Sequence, residues 1–131
     1  ITTPQYKLIH KYTPGPYVFI LDSLRKLEKL TGMKRREVGV RIPENPVTKA
    51  IVESLGEPIF TTTAARSMDN PGWWDSGFAE ENLFEMGWEL EDINSIDIIL
   101  DGGDALSRTL TTVIDLTGGE AAVIREGSGP F

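Results

Sequence analysis

The clearest hydrophobic signal is Tyr17-Val18-Phe19-Ile20-Leu21, five apolar residues in a row. An aromatic and β-branched run of that length predicts a buried strand. Ahead of it, the residues through Tyr12 alternate apolar and polar only weakly, then break at Thr13-Pro14-Gly15-Pro16. Two prolines around a glycine fix φ and remove backbone donors, so a rigid turn is expected there. After the run, Asp22 or Ser23 can cap a short helix through about Leu30, with Gly32 as its stop. Val38-Gly39-Val40-Arg41-Ile42 reads as a second strand, halted by Pro43. Asn45 is a good N-cap and Pro46 a good first helical residue. A helix is therefore predicted to about Leu55, with Val47, Ala50, Ile51, Ser54 and Leu55 on one face and Gly56 closing it.

Later signals are shorter. Pro58 to Thr63 reads as a third strand, residues 66–78 as a loop carrying Trp73 and Trp74, and Phe78 to Met86 as a helix. Ile96 to Leu100 reads as a strand ending in the turn Asp101-Gly102-Gly103. Thr112 to Leu116 and Ala122 to Arg125 form a predicted hairpin across Thr117-Gly118-Gly119. Helices alternating with strands early and a hairpin late predict an α/β fold built on a mixed sheet.

Composition narrows the classes. A chain of 131 residues, 40% hydrophobic and 25% charged, is one ordinary globular domain by length. It has no cysteine, which excludes disulfides and sulfur-based zinc sites and fits a reducing, cytoplasmic setting. No apolar run approaches 18 residues, so no membrane helix is expected. The chain opens at Ile1 rather than Met, and the pattern starts abruptly, so missing neighbours upstream are expected. The net charge of −7 argues against a strong electrostatic grip on nucleic acid. Its distribution is uneven. Residues 1–49 hold ten Lys/Arg and four acids, and residues 50–131 hold three Lys/Arg and sixteen acids. A basic half facing an acidic half could line one positive cleft, although solvated faces of opposite sign are the plainer reading.

Few residues carry obvious chemistry. GxGxxG, GxxxxGK[ST], HExxH and GxSxG are all absent. His10 is the lone histidine and has no evident orienting carboxylate. Glu80, Glu81, Glu85, Glu89, Glu91 and Asp92 read as a solvated helix face rather than a metal cage. Residues at predicted strand ends remain: Arg41, the hydroxyls Thr61, Thr62 and Thr63, Thr111 with Thr112, and Arg125. Strand ends of open α/β sheets are favoured ligand sites, and arginine grips carboxylate or phosphate with two parallel bonds. Threonine also favours strands for its own sake, which competes with a binding role.

The ordered series KYTPGPYVFIL, VGVRIPENP, LGEPIFTTT, DGG, TTVIDLT and VIREG resembles the YrdC/YciO family across nearly the whole chain. The resemblance implies an open, twisted mixed sheet around a positively charged cleft, seen here as the C-terminal part of one domain. Family members with synthase activity join L-threonine, bicarbonate and ATP into threonylcarbamoyl-AMP, with release of pyrophosphate. Their product feeds the N6-threonylcarbamoyl modification of tRNA, and double-stranded RNA binding has been ascribed to the family. By motif position, Arg41, Thr63 and Thr111 would then bind L-threonine, and Arg125 and Thr61 the nucleotide, supplied as ATP with Mg2+. The expected partners are thus L-threonine and ATP, with tRNA or double-stranded RNA further on, no membrane, and an oligomeric state left open.

Departures from the synthase pattern point to the YciO branch. Ala65 stands where synthases show the Asn of PSAN, Asn45 where they show a His, and Glu37 where they place a Thr. An acid beside a triphosphate would repel it. The KRxxxKP segment that faces the phosphates in the family is not within these 131 residues, so they are expected to be inactive on their own. An enzyme, a binding module for RNA or a nucleotide, and a domain with no ligand all stay open at this point.

Overall fold

In a computed structural model of the chain, residues 1–23, 36–67 and 77–131 are described. They gather into two compact units, Ile1–Ile59 with Leu110–Phe131, and Phe60–Thr109.

The first unit is built on a four-stranded mixed sheet. Its strands are β1 (Tyr17–Asp22), β2 (Glu37–Val40), β3 (Thr112–Asp115) and β4 (Ala122–Arg125), in the spatial order β2-β1-β3-β4. β1 pairs antiparallel with β2 and parallel with β3, and β3 pairs antiparallel with β4. The apolar run at Tyr17 is thus one of the two central strands, as its composition demands. Its side chains alternate: Tyr17, Phe19 and Leu21 are buried, while Val18 and Ile20 are half-buried. Phe19 and Ile114, paired across the parallel step, are 1% and 0% exposed. With Leu116 they form the core of this unit, and Val38 and Val40 extend it along β2.

Helix α1 (Thr3–Tyr12) covers this face through Leu8, Ile9 and Tyr12. The weak alternation of residues 1–12 had predicted no helix. Two local devices decide otherwise. The Thr2 hydroxyl accepts from Gln5 N–H while the Gln5 side chain accepts from Thr2 N–H, a reciprocal cap on the first turn. Gln5 also donates to Leu116 C=O at 2.7 Å, which ties the helix to the end of β3. The Thr13–Pro14 bond is cis, inside the predicted proline turn.

Helix α2 (Pro46–Leu55) begins and ends where its sequence says it should. The Asn45 side chain accepts from Thr48 N–H at 2.9 Å, and Gly56 takes the left-handed conformation at φ 72°. Its apolar face, Pro46, Val47, Ala50, Ile51, Ser54 and Leu55, lines a shallow open groove.

The second unit contains neither an α-helix nor a strand among its described residues. Pro58–Thr63 and Ile96–Leu100, predicted as strands, are irregular. Phe78–Met86, predicted as a helix, holds only the single 3-10 turn Glu80–Asn82, followed by a second over Gly87–Leu90. A lone antiparallel bridge joins Ala65 to Leu83. The apolar letters in these segments satisfied a strand pattern, but a strand needs a neighbour for its ladder, and none is present among the described residues. The predicted helix after Asp22 and the Trp73–Trp74 part of the loop fall outside the described residues.

Candidate functional site

The register of the sheet collects the candidates of the first unit at one end. Val40 pairs with Phe19, so one further step puts Arg41 in the row of Val18, Val113 and Arg125. β1 and β3 are parallel, and this row lies near their amino ends. Ligands of open α/β sheets usually meet the carboxyl ends of parallel strands. Here the arginines come instead from the carboxyl ends of the two antiparallel strands, β2 and β4, so the strand-end expectation holds only for those two.

Arg41 follows β2 directly and is exposed. Its backbone is held on both sides: Val40 by the ladder to β1, and Ile42 C=O by Gly15 N–H at 2.9 Å. Val38 and Val40 pack on the core, so the alternation puts Arg41 on the opposite face of the sheet. Among the described residues its guanidinium has no ion-pair partner.

Arg125 is placed differently. The register between β3 and β4 shifts between Val113 and Ile114, a bulge that turns the end of β4. Arg125 reaches back to Thr111, donating from Nε and Nη2 to its carbonyl (3.2 and 3.0 Å) and from Nη2 to its hydroxyl (3.3 Å). Partial burial holds the guanidinium below its ordinary pKa, since desolvation disfavours the charged form. An arginine so placed stays cationic at any accessible pH. Thr111 and Arg125, read from the sequence as belonging to two ligands, are therefore in contact.

Gly127, two residues beyond Arg125, is closely packed. A Cβ there would lie 2.4 Å from Leu110 O and from the Thr111 carbonyl carbon. Ser128 N–H donates to Leu110 C=O at 2.9 Å, so the segment after β4 folds back along the start of β3.

Thr61 and Thr63 belong to the second unit, Thr61 exposed and Thr63 half-buried, both in irregular chain. Ala65, just beyond them, is fixed by the bridge to Leu83, and Arg66 N–H donates to Asn82 C=O at 2.8 Å.

The acids of this unit are a correction to the sequence reading. Glu80, Glu81, Glu85, Glu91 and Asp92 are exposed as expected, but they lie on and around two 3-10 turns rather than on a helix, and Glu89 is drawn in. Glu89, whose side chain is 13% exposed, accepts from Glu85 N–H and Met86 N–H (both 2.8 Å) and pairs with Arg66. Arg108 pairs with Glu85 at 2.8 Å and donates to Glu80 C=O at 2.6 Å. Arg66 also lies over the Phe84 ring, 4.6 Å from its centroid. Both Arg66 and Arg108 are thus committed to holding two short turns. Among the described residues no group of three or more His, Cys, Asp or Glu could hold a metal ion. His10 is exposed on α1, 5.9 Å from the Tyr6 ring. No helix among the described residues is long and apolar enough to cross a membrane.

Comparison with known proteins bears on this arrangement. The family model Sua5/YciO/YrdC, described as telomere recombination, matches residues 1–127. The "Uncharacterized protein YciO" of Escherichia coli K12 is 39% identical over 125 residues, covering 95% of this chain and 56% of that protein. A threonylcarbamoyl-AMP synthase of Psychromonas ingrahamii is 33% identical over 64 residues, covering 49% of this chain and 34% of that protein. The chain thus spans little more than half the length of YciO. Among solved structures, E. coli YciO superposes with a TM-score of 0.71 at 30% identity, covering 99% of this chain and 59% of that one. P. abyssi Sua5 complexed with L-threonine gives a TM-score of 0.72 at 26% identity, covering 97% of this chain and 34% of that one. With a family match over residues 1–127, the chain belongs to the Sua5/YciO/YrdC family.

Proposed function

We propose that the protein binds L-threonine and ATP side by side and joins them, with bicarbonate, into threonylcarbamoyl-AMP, in the manner of the synthases it is related to. The contact between Arg125 and Thr111 is the observation that carries this reading. It brings a hydroxyl suited to the amino acid against a cation suited to a phosphate, and two substrates that are to be joined need adjoining sites. Arg41, in the same row about 14 Å away by three strand spacings, would take the threonine carboxylate with its planar fork. For Thr63 and Thr61, which belong to the second unit, roles toward threonine and nucleotide rest on motif position alone. Mg2+ would arrive as part of the substrate, held by the phosphates, which is how this ion usually binds. tRNA would accept the product downstream, and the lack of cysteine agrees with a cytoplasmic setting.

A second reading, a nucleotide- or RNA-binding module of the YciO type without efficient synthesis, has its own support. Identity to YciO extends over 125 residues, against 64 for the synthase of Psychromonas ingrahamii, and Glu37, Asn45 and Ala65 stand where synthases place Thr, His and Asn. Calorimetric titration of the full-length protein with L-threonine and with ATP·Mg2+, beside an assay of pyrophosphate release, separates the two. Release that requires both threonine and bicarbonate is the expected result. Nucleotide or RNA binding with no effect of threonine would overturn the first reading in favour of the second.

A further inference from the structure

We infer that Thr112 is a positioning residue: its buried hydroxyl holds the turn after β4 so that the Arg125 guanidinium stays on Thr111, facing a nucleotide phosphate. This rests on the nucleotide reading of Arg125 given above.

Thr112 is 1% exposed and is the only polar side chain so buried among the described residues. A valine of the same shape would fill its space at the start of a buried strand and suit that strand at least as well. The hydroxyl therefore needs a reason, and its partners supply one. It donates to Gly129 C=O at 2.6 Å and accepts from Gly127 N–H at 3.0 Å. One oxygen thus satisfies two backbone groups of the segment that folds back on β3. Gly127 is two residues beyond Arg125 and packs against Thr111 with no room for a side chain. The Arg125 side chain ends on that same Thr111. Thr112 and Thr111 are adjacent, so the hydroxyl and the guanidinium secure one short stretch of chain to one strand end from two sides.

Without the hydroxyl, the buried Gly129 C=O would lose its partner, which is costly, and the more open Gly127 N–H would lose its own. The turn can recover its hydrogen bonds by moving outward into water. Arg125, two residues upstream, would move with it and leave Thr111. The backbone of Thr112 itself is held independently, by Pro16 C=O at 3.0 Å and by the ladder to β1, so the sheet does not depend on the hydroxyl.

Thr112→Val, which removes the hydroxyl at constant shape, and Thr112→Ser, which keeps it, test the idea. In the unliganded protein, exchange of the Gly127 amide and of the Arg125 Nε proton is followed by NMR, with the Phe19 and Ile114 amides as controls for the fold. ATP·Mg2+ and L-threonine are then titrated separately. In Thr112→Val both marker protons are expected to exchange about tenfold faster with the controls unchanged, the scale of losing one well-placed hydrogen bond. The Kd for ATP should rise about tenfold, on the same scale, and that for L-threonine by less. Thr112→Ser should restore both. Unchanged exchange of the Arg125 proton in Thr112→Val overturns the positioning role whether or not ATP binds. Faster exchange with unaltered ATP affinity overturns its importance for the ligand. A wild-type protein that binds no ATP sinks the nucleotide reading instead, and the exchange measurement still decides whether Thr112 holds Arg125.

Discussion

Arg41 and Arg125 sit in one row of the sheet and do different work. Arg41 is exposed and unpaired among the described residues, so its fork is available to a carboxylate. An ammonium cannot reproduce two parallel bonds, and Arg41→Lys is expected to cost about 1–3 kcal/mol of L-threonine binding. Titration calorimetry should show that loss with ATP affinity nearly unchanged. Arg125 is half-buried and already anchored on Thr111, so Arg125→Ala removes a cation and a structural tie together. ATP affinity is expected to fall more than threonine affinity. Equal losses for both ligands in both variants would mean that the two arginines only support the fold. Gly127→Ala probes the same place without touching charge. A Cβ 2.4 Å from backbone atoms of Leu110 and Thr111 forces the chain to shift, and overpacking of that kind costs about 1–3 kcal/mol. Urea unfolding should show the midpoint falling with little change in slope.

At the scale of elements, the ends of α1 and α2 were decided by local chemistry. Gly56 ends α2 at φ 72°, and nothing lies within 4 Å of a Cβ built on it. The cost of Gly56→Ala is therefore conformational alone, about 1 kcal/mol, and Gly56→Asn should cost less because asparagine tolerates the left-handed region. Thermal unfolding of the two variants beside the parent gives the order directly. The same local reading named Asn45, Pro46 and Gly56 from the sequence, because caps are short-range and need only neighbours within four residues. It missed α1, whose reciprocal Thr2–Gln5 cap was present in the letters but whose apolar stripe is narrow, Leu8, Ile9 and Tyr12. Packing on β1 and β3 selects that helix, and no window of α1 contains β1 and β3.

For the molecule as a whole, the two units differ in what holds them. The first has a buried apolar core under four paired strands. The second, among its described residues, buries only Leu83 and Phe84 of its large apolar side chains and otherwise relies on short turns, a single bridge and the pairs that Arg66 and Arg108 make with glutamates. Ion pairs with one solvent-exposed partner, as Arg66 and Glu85 are here, contribute little and weaken with salt. Amides of residues 77–109 are therefore expected to exchange earlier than those of β1 and β3 by native-state hydrogen exchange, and limited proteolysis should cut there first. Cleavage within β1 or β3 ahead of that region would contradict this.

The sequence by itself determined the central strand, the hairpin of β3 and β4, the capped helix α2 and the family. Each rests on short-range information: an apolar run, a turn, a cap, or an ordered set of motifs. It also singled out Arg41, Thr61, Thr63, Thr111 and Arg125 by motif position. Only the tertiary structure decided that Thr111 and Arg125 touch, that Gly127 packs closely on Leu110 and Thr111, and that Thr112 holds the turn after β4. Those contacts join residues 14 to 17 positions apart through a bulged pairing, and no period or propensity encodes which oxygen a folded-back segment will meet. The segments Pro58–Thr63 and Ile96–Leu100 show the converse. Their letters suit strands, but strand structure is completed by a neighbour, and among the described residues they have none.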